Sequence, residues 1–421
     1  MRGSRLASPR VSRHEESRTS NDGGGMSEMT ASLGSFTHRQ PTKVHFGAGR
    51  LIECGRIARR YGGRCLLVST SANEAAMAPL YERVKSILSA AGVETIHFDG
   101  VVANPTTAAV EAGIQMARSN GADLVMAVGG GSSIDTAKAV SIFGGLSELD
   151  WTRWFSVLTD PFEDYVFPSS RILPVIAMTT TSGTGSHVTQ AMVISDPAKG
   201  EKNCIFHPAA FPREAIVDPE LMLSLPAGAT AVTGFDAFSH AFESCLSERA
   251  SVFTSLLAEE ALRIIAATLP AVVARPDDIA LRSRMAWADT LAGISLANTG
   301  AGIPHPLSEL VGGIRPDLPH GACLASLYPA YIAFLSAKPN GRVAHLVSIL
   351  AEATGLEPPW NGDDGLRHIV LYFLKAIGLN RRLSEMSLTR EDLDGLERHP
   401  LLDVLPWASK AELVEVLRAS F

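Results

Sequence analysis

The chain has 421 residues, which at roughly 150 residues per domain points to two or three domains. Lys and Arg total 37 against 44 Asp and Glu, a formal net charge of -7. That balance excludes a broadly basic nucleic-acid binder, and no apolar run reaches the ~18 residues a membrane helix needs, so neither nucleic acid nor membrane is expected as a partner.

The first 25 residues differ from the rest: Gly and Ser supply nine of them, and five arginines are scattered among few apolar side chains. Such a segment cannot offset its ordering entropy and is expected to be disordered. It lacks the apolar h-region of a secretory signal. An extraneous leader before a start at Met26 and an Arg/Ser-rich transit peptide both stay open, with Glu15, Glu16 and Asp22 against the second. The leader is taken as residues 1–41.

From Val44 the pattern becomes regular. Cys65–Ser69 reads as a strand, Met77–Ala91 as a helix, Thr95–Phe98 as a strand, Thr106–Ser119 as a helix and Asp123–Val128 as a strand. Strands alternating with helices signal βαβ units and a parallel sheet. Three more strand-like runs follow at Leu173–Met178, Ala191–Ser195 and Ala215–Val217. After Pro226 long Ala/Leu-rich helical patterns take over at Ala229–Leu246, Phe253–Leu269, Ile279–Ala297 and Ala322–Leu335. The expected architecture is an α/β nucleotide-binding domain with a parallel sheet at 42–220 and an all-helical domain at 221–421. Cys54, Cys65, Cys204, Cys245 and Cys323 show no CxxC spacing, which fits a reducing, cytoplasmic setting and argues against a thiolate zinc site.

Two glycine loops follow strands in the first domain. Gly129-Gly130-Gly131-Ser132-Ser133-Ile134-Asp135-Thr136-Ala137-Lys138 opens a helix, where residues without side chains let the backbone approach a diphosphate. Ser132 or Ser133 is expected to cap that helix. This is not the GxGxxG fingerprint, and a plain tight turn is the bland reading. Thr179-Thr180-Thr181-Ser182-Gly183-Thr184-Gly185-Ser186 clusters hydroxyls beside glycines that can bond ribose or phosphate oxygens. Two such loops favour a cofactor crevice, because ligands sit beyond the carboxyl ends of open α/β sheets.

In the helical half, Asp236 and His240 lie four apart and so share one helix face. Alone, that pair reads more readily as a buried hydrogen bond. His305 and His320 add two further imidazoles, and three nitrogens with one oxygen suit Fe(II) or Zn(II).

Together these motifs resemble the iron-containing, or group III, alcohol dehydrogenases. The resemblance runs over roughly 42–421. It rests on Phe46-Gly47-Ala48-Gly49, Asn104-Pro105-Thr106, both glycine loops, Asp218-Pro219 with Ser224-Leu225-Pro226, Thr233 through His240, and Pro319-His320-Gly321. It implies a dehydroquinate synthase-like fold, NAD or NADP as cofactor, and a divalent metal held by Asp236, His240, His305 and His320. The nucleotide-binding positions it implies are Asn104, Gly129, Gly130, Gly131, Ser132, Asp135, Thr180, Thr181, Thr184 and Lys202. Many members carry two histidines four apart before the last ligand, whereas this chain has one. Matching His305 to the first keeps all four ligands and puts Glu309 at the second, where a carboxylate could relay a proton. Matching it to the second would leave Ala301 at a ligand position. Thr70 stands where NAD-preferring members often have Asp, which makes NADP(H) permissible. His187 stands where Glu is usual.

The resemblance implies reversible hydride transfer on a small alcohol or aldehyde, with the metal as Lewis acid. Alternatives are a polyol or sugar-phosphate dehydrogenase of the same fold, an oxidoreductase acting on a peptide or pathway intermediate, and a non-enzymatic metal or nucleotide binder. Phe155, Phe206, Phe238 and Trp287 are candidate pocket walls, with core packing the commoner role for such residues. Leu/Ala-rich helices are compatible with a homo-oligomer, a homodimer being the simplest.

Overall fold

The protein was analysed as a computed structural model, which describes residues 35–166, 171–338, 341–356 and 363–421. The expected disorder of the leader falls mostly on residues outside these. β1 (Lys43–Phe46) leads into α1 (Cys54–Arg59). Then β2 (Arg64–Val68), α2 (Ala78–Ala90), β3 (Glu94–Phe98), α3 (Thr107–Ser119), β4 (Leu124–Gly129) and α4 (Gly131–Phe143) alternate. α5 (Trp151–Val157), β5 (Val175–Thr179), β6 (Ala191–Asp196), β7 (Glu201–Phe206) and β8 (Glu214–Val217) complete this half. The helical half holds α6 (Ala227–Leu246), α7 (Val252–Ala274), α8 (Ile279–Thr299), α9 (Pro304–Ile314) and α10 (His320–Ser336). It continues through α11 (Gly341–Thr354), α12 (Asp363–Ala376), α13 (Arg390–Glu397) and α14 (Lys410–Ser420).

Six strands form one parallel sheet in the order β3-β2-β4-β5-β8-β1. Both of its faces are buried, which is why its strands are near-continuous apolar runs. Leu66, Val68, Val125 and Ala127 pack to one side with α3 and α4, while Cys65, Leu67, Met126 and Val128 pack to the other with α1 and α2. From β2 the chain turns outward to β3, and from β4 it turns the opposite way to β5. The sheet therefore has its switch point between β2 and β4, where a crevice opens beyond the strand ends.

Three expectations are corrected. The strand at Ala191–Ser195 is not in the parallel sheet; it pairs antiparallel with β7, whose polar Glu201, Lys202 and Asn203 hid it from an apolar-run reading. α7 runs on through Pro270, past the end expected at Leu269, and α10 likewise contains Pro329, since burial against neighbouring helices outweighs the one backbone bond each proline removes. The leader boundary at 41 is too late: residues 36–421 form one compact unit, and the Arg39 backbone exchanges hydrogen bonds with Asn298 on α8 at 2.7 and 3.1 Å.

Within that unit the helical half keeps its own core, from Ala231 to Leu417. The halves meet where the loop after β5 lies on α8. Gly185 adopts φ 61°, and a Cβ on Gly293 would stand 2.8 Å from the Gly185 Cα. Gly293→Ala should therefore cost about 1–3 kcal/mol of stability in urea unfolding. Gly228→Ala, with nothing within 4 Å of the new Cβ, should be neutral or slightly stabilising.

Candidate active site

α6, α9 and α10 converge so that three imidazoles surround one carboxylate oxygen. Asp236 Oδ1 lies 3.4 Å from His240 Nε2, 3.5 Å from His305 Nε2 and 3.7 Å from His320 Nε2. The four expected ligands are thus brought together by three separate elements. His305 and His320 each stand in the first turn of their helix; Pro304 is the first residue of α9, and Pro319 is the cap residue of α10.

Each imidazole is oriented from behind. His240 Nδ1 donates to the Gly183 carbonyl at 3.1 Å, and His305 Nδ1 reaches both carboxylate oxygens of Glu243 at 2.9 Å. His320 Nδ1 bonds the Ser308 hydroxyl at 2.9 Å. With Nδ1 engaged in all three, every Nε2 turns inward, the orientation that metal-ligating histidines take. Glu243 is itself buried and accepts from Ser239 Oγ and the Gly302 amide. Glu243 was missed in the sequence, although its seven-residue spacing from Asp236 puts it on the same helix stripe. Ser308, three after His305, was missed too.

The electrostatics of the centre suit a cation. Burial raises the Asp236 carboxyl, but His240, His305 and His320 outweigh it and hold it below the usual carboxylate range. Burial lowers the His305 imidazole, yet Glu243 and Asp236 outweigh that and push it up to about 10, while burial brings His320 down to about 4. Asp236 Oδ1 and His305 Nε2, both buried, have no hydrogen-bond partner. A divalent metal fits this donor set, since it would take up both orphaned atoms and the excess negative charge.

Glu309 stands beside this centre, its Oε1 3.8 Å from His320 Nε2 and its Oε2 2.8 Å from Lys202 Nζ. Burial raises Glu309, but Lys202 and then His320 outweigh it, so the carboxyl is lowered; Lys202 in turn is raised against its own burial by Glu309. Lys202 was expected at the nucleotide. Its position on β7 pairs its ammonium with Glu309 beside the candidate metal pocket.

The nucleotide turn lies at the switch point. The cap position of α4 is Gly130, extended and without a side-chain cap, so neither Ser132 nor Ser133 caps the helix as expected. The helix begins two residues earlier than a Ser132 cap would set it and three earlier than a Ser133 cap, which leaves its first amides free for an anion. The second loop packs directly on this turn: a Cβ on Gly130 would meet Thr181 at 3.2 Å, and one on Gly131 would meet Thr184 at 2.8 Å. Thr180 donates its amide to the Gly129 carbonyl, and the Thr181 hydroxyl is buried without a partner.

Two expected nucleotide residues make contacts within the protein. Both Asp135 oxygens are used, by Ser186 Oγ and by the Val193 amide at 3.0 Å. Asn104, at φ 55°, donates its side-chain amide to the Pro316 carbonyl and ties the two halves together. His187 is buried, pushed down to about 3 by burial and Lys138, and bonds Thr290 on α8. Of the expected pocket walls, Phe238 is in the core with Phe235 and Phe373, Trp287 packs edge-on to Phe46, and Phe155 lies against Trp151. Phe206 ends β7.

The fold and this geometry define a dehydrogenase class that joins a nucleotide crevice to a centre of three histidines and one aspartate. The profile for iron-containing alcohol dehydrogenases matches residues 41–219, and that of the family's C-terminal region matches 230–415. The NAD-dependent methanol dehydrogenase of Bacillus methanolicus is 33% identical over 365 residues, 86% of this chain and 93% of that protein. The 1-propanol dehydrogenase of Citrobacter freundii is 38% identical over 70% of this chain and 75% of its own. The crystal structure of an archaeal halo-thermophilic Red Sea brine pool alcohol dehydrogenase superposes with a TM-score of 0.83 at 30% identity, covering 92% of this chain and 99% of that one. The chain belongs to the iron-containing alcohol dehydrogenase family and is an enzyme of that family.

Removing the carboxylate behind His305 should loosen the centre without deleting a ligand. Glu243→Gln should weaken metal retention roughly 10–100-fold in chelator competition, and Asp236→Asn more. Unchanged retention in both would mean these groups hold no metal.

Proposed function

We propose that this protein catalyses reversible oxidation of a small alcohol to the aldehyde, using a nicotinamide dinucleotide and a divalent metal, Fe(II) or Zn(II). The observation that carries this reading is the convergence of three Nε2 atoms within 3.7 Å of Asp236 Oδ1, with His240 anchored on the nucleotide loop. Asp236, His240, His305 and His320 would hold the metal. A metal there supplies Lewis-acid polarisation of the substrate oxygen, and the nicotinamide supplies the redox chemistry.

The chain's own residues do the rest. Gly183 and Glu243 fix the rings of His240 and His305, while the glycine turn and the Thr-rich loop seat the dinucleotide. Lys202 holds Glu309 ionised on the substrate side, where its carboxylate accepts a hydrogen bond or the proton of the substrate hydroxyl. A sugar-phosphate substrate is disfavoured, because Arg315 is spent on Asp317 at 2.8–2.9 Å and Lys202 on Glu309.

The reading is tested on metal-reconstituted protein with a panel of aldehydes and ketones, following nicotinamide oxidation. Turnover on short aldehydes that His320→Ala abolishes supports it; full activity and full metal content in His320→Ala would sink it. The Glu309–Lys202 pair gives a separate outcome. Glu309→Ala should cost about 3–5 kcal/mol by stranding a buried ammonium, whereas Lys202→Met with Glu309→Leu should recover most of that stability and none of the turnover.

A further inference from the structure

Thr70 follows β2 at the switch-point crevice, in register with the glycine turn after neighbouring β4. Its own side chain carries no charge. The fold, however, brings a carboxylate to it: Thr70 Oγ1 donates to Glu74 Oε2 at 2.7 Å. With its proton so used, Thr70 accepts from the buried Tyr81 hydroxyl, also at 2.7 Å. Tyr81, Thr70 and Glu74 form a chain of hydroxyls that fixes the carboxylate. The loop around it is held as well, since Asp99 after β3 accepts the Ala72 amide at 3.2 Å and Ser71 Oγ accepts that of Asn73 at 3.3 Å.

The loop itself carries charge of one sign; Lys85 on α2, which acts on His97 behind Ser69, is paired with Glu82 at 2.8 Å. No Lys or Arg occurs between Arg64 and Arg83, so this stretch offers no cation, while Glu74 and Asp99 offer two carboxylates. In dinucleotide folds the group beyond the strand flanking the glycine turn meets the adenosine ribose. A carboxylate accepts from its 2′- and 3′-hydroxyls, and a 2′-phosphate needs a cation.

We propose that Glu74, positioned by Thr70 and Tyr81, selects NAD(H) over NADP(H). Glu74 takes the place of a carboxylate at residue 70 and contacts the ribose hydroxyls, while Thr70 acts as a positioning residue. On this reading NADP(H), which the missing Asp left permissible, is disfavoured. It rests on the nucleotide-binding part of the proposed function and not on the metal or the substrate.

The test is calorimetric titration of the full chain with NADH and with NADPH, which needs no substrate or turnover. NADH should bind at least about tenfold more tightly, the scale of one unfavourable charge contact. Glu74→Gln should narrow that ratio mainly by tightening NADPH, and Glu74→Lys should invert it. Thr70→Val, which frees the carboxylate, should narrow it in part. Equal binding of the two dinucleotides by the unaltered protein would overturn the assignment. So would an unchanged ratio in both Glu74→Gln and Glu74→Lys. Preference for NADH without turnover of any alcohol or aldehyde would uphold this selectivity and remove the dehydrogenase reading.

Discussion

The Gly183 carbonyl is where the two halves of this enzyme become one site. It accepts the Nδ1 proton of His240 and so turns that ring's other nitrogen toward Asp236. The loop that carries it can come this close only because it has no side chain there: a Cβ on Gly183 would stand 2.3 Å from the Thr233 carbonyl of α6. Two residues on, the Gly185 amide donates to Asp289 of α8 at 2.9 Å. On its other side the same loop packs Thr181 and Thr184 against the glycine turn of α4. One eight-residue segment therefore sets the spacing between dinucleotide and metal centre. Its glycines serve close approach to the helical half as much as approach to a phosphate.

Asp289 shows what that docking costs. Burial raises its carboxyl to about 7, against the lowering effect of the Gly183 and Gly185 amides. A carboxyl near neutrality can bond the loop in either protonation state, so the contact survives without a compensating cation. The metal centre resolves its charges differently. Asp236 and Glu243 are both held low by the imidazoles around them, and the excess negative charge is left for a cation to satisfy. Beside them Lys202 and Glu309 neutralise each other. The same physics, desolvation against a specific partner, gives a scaffold contact, a cation-seeking centre and a fixed ion pair within one region.

Much of this was legible in the chain. The apolar runs of β2, β4 and β5 and the spacing of α2 and α3 set out the parallel α/β half, because a sheet buried on both faces imposes that composition. Asp236 and His240 were legible as a pair through helical periodicity. Glu243 belonged to the same stripe and was overlooked because a carboxylate on a helix reads as a surface residue. The pairing of Lys202 with Glu309 and of Asp135 with Ser186 was not legible, because a motif gives the neighbourhood of a side chain but not its direction. β7 alternates polar residues, and only pairing with β6 makes it a strand.

The sequence by itself determined the fold class and the family, and it marked out the four candidate ligands. Those rest on local periodicity and on residue types that few chemistries require together. Tertiary structure alone decided that His305, His320 and Asp236 meet within 3.7 Å, since nothing local relates α6, α9 and α10. It alone faced Lys202 with Glu309 across more than 100 residues, and turned Glu74 back onto Thr70. Length and charge had suggested two or three domains. The packed structure has a helical core and a cluster on each face of the sheet within one compact unit, and its two halves meet at glycines that let their backbones approach.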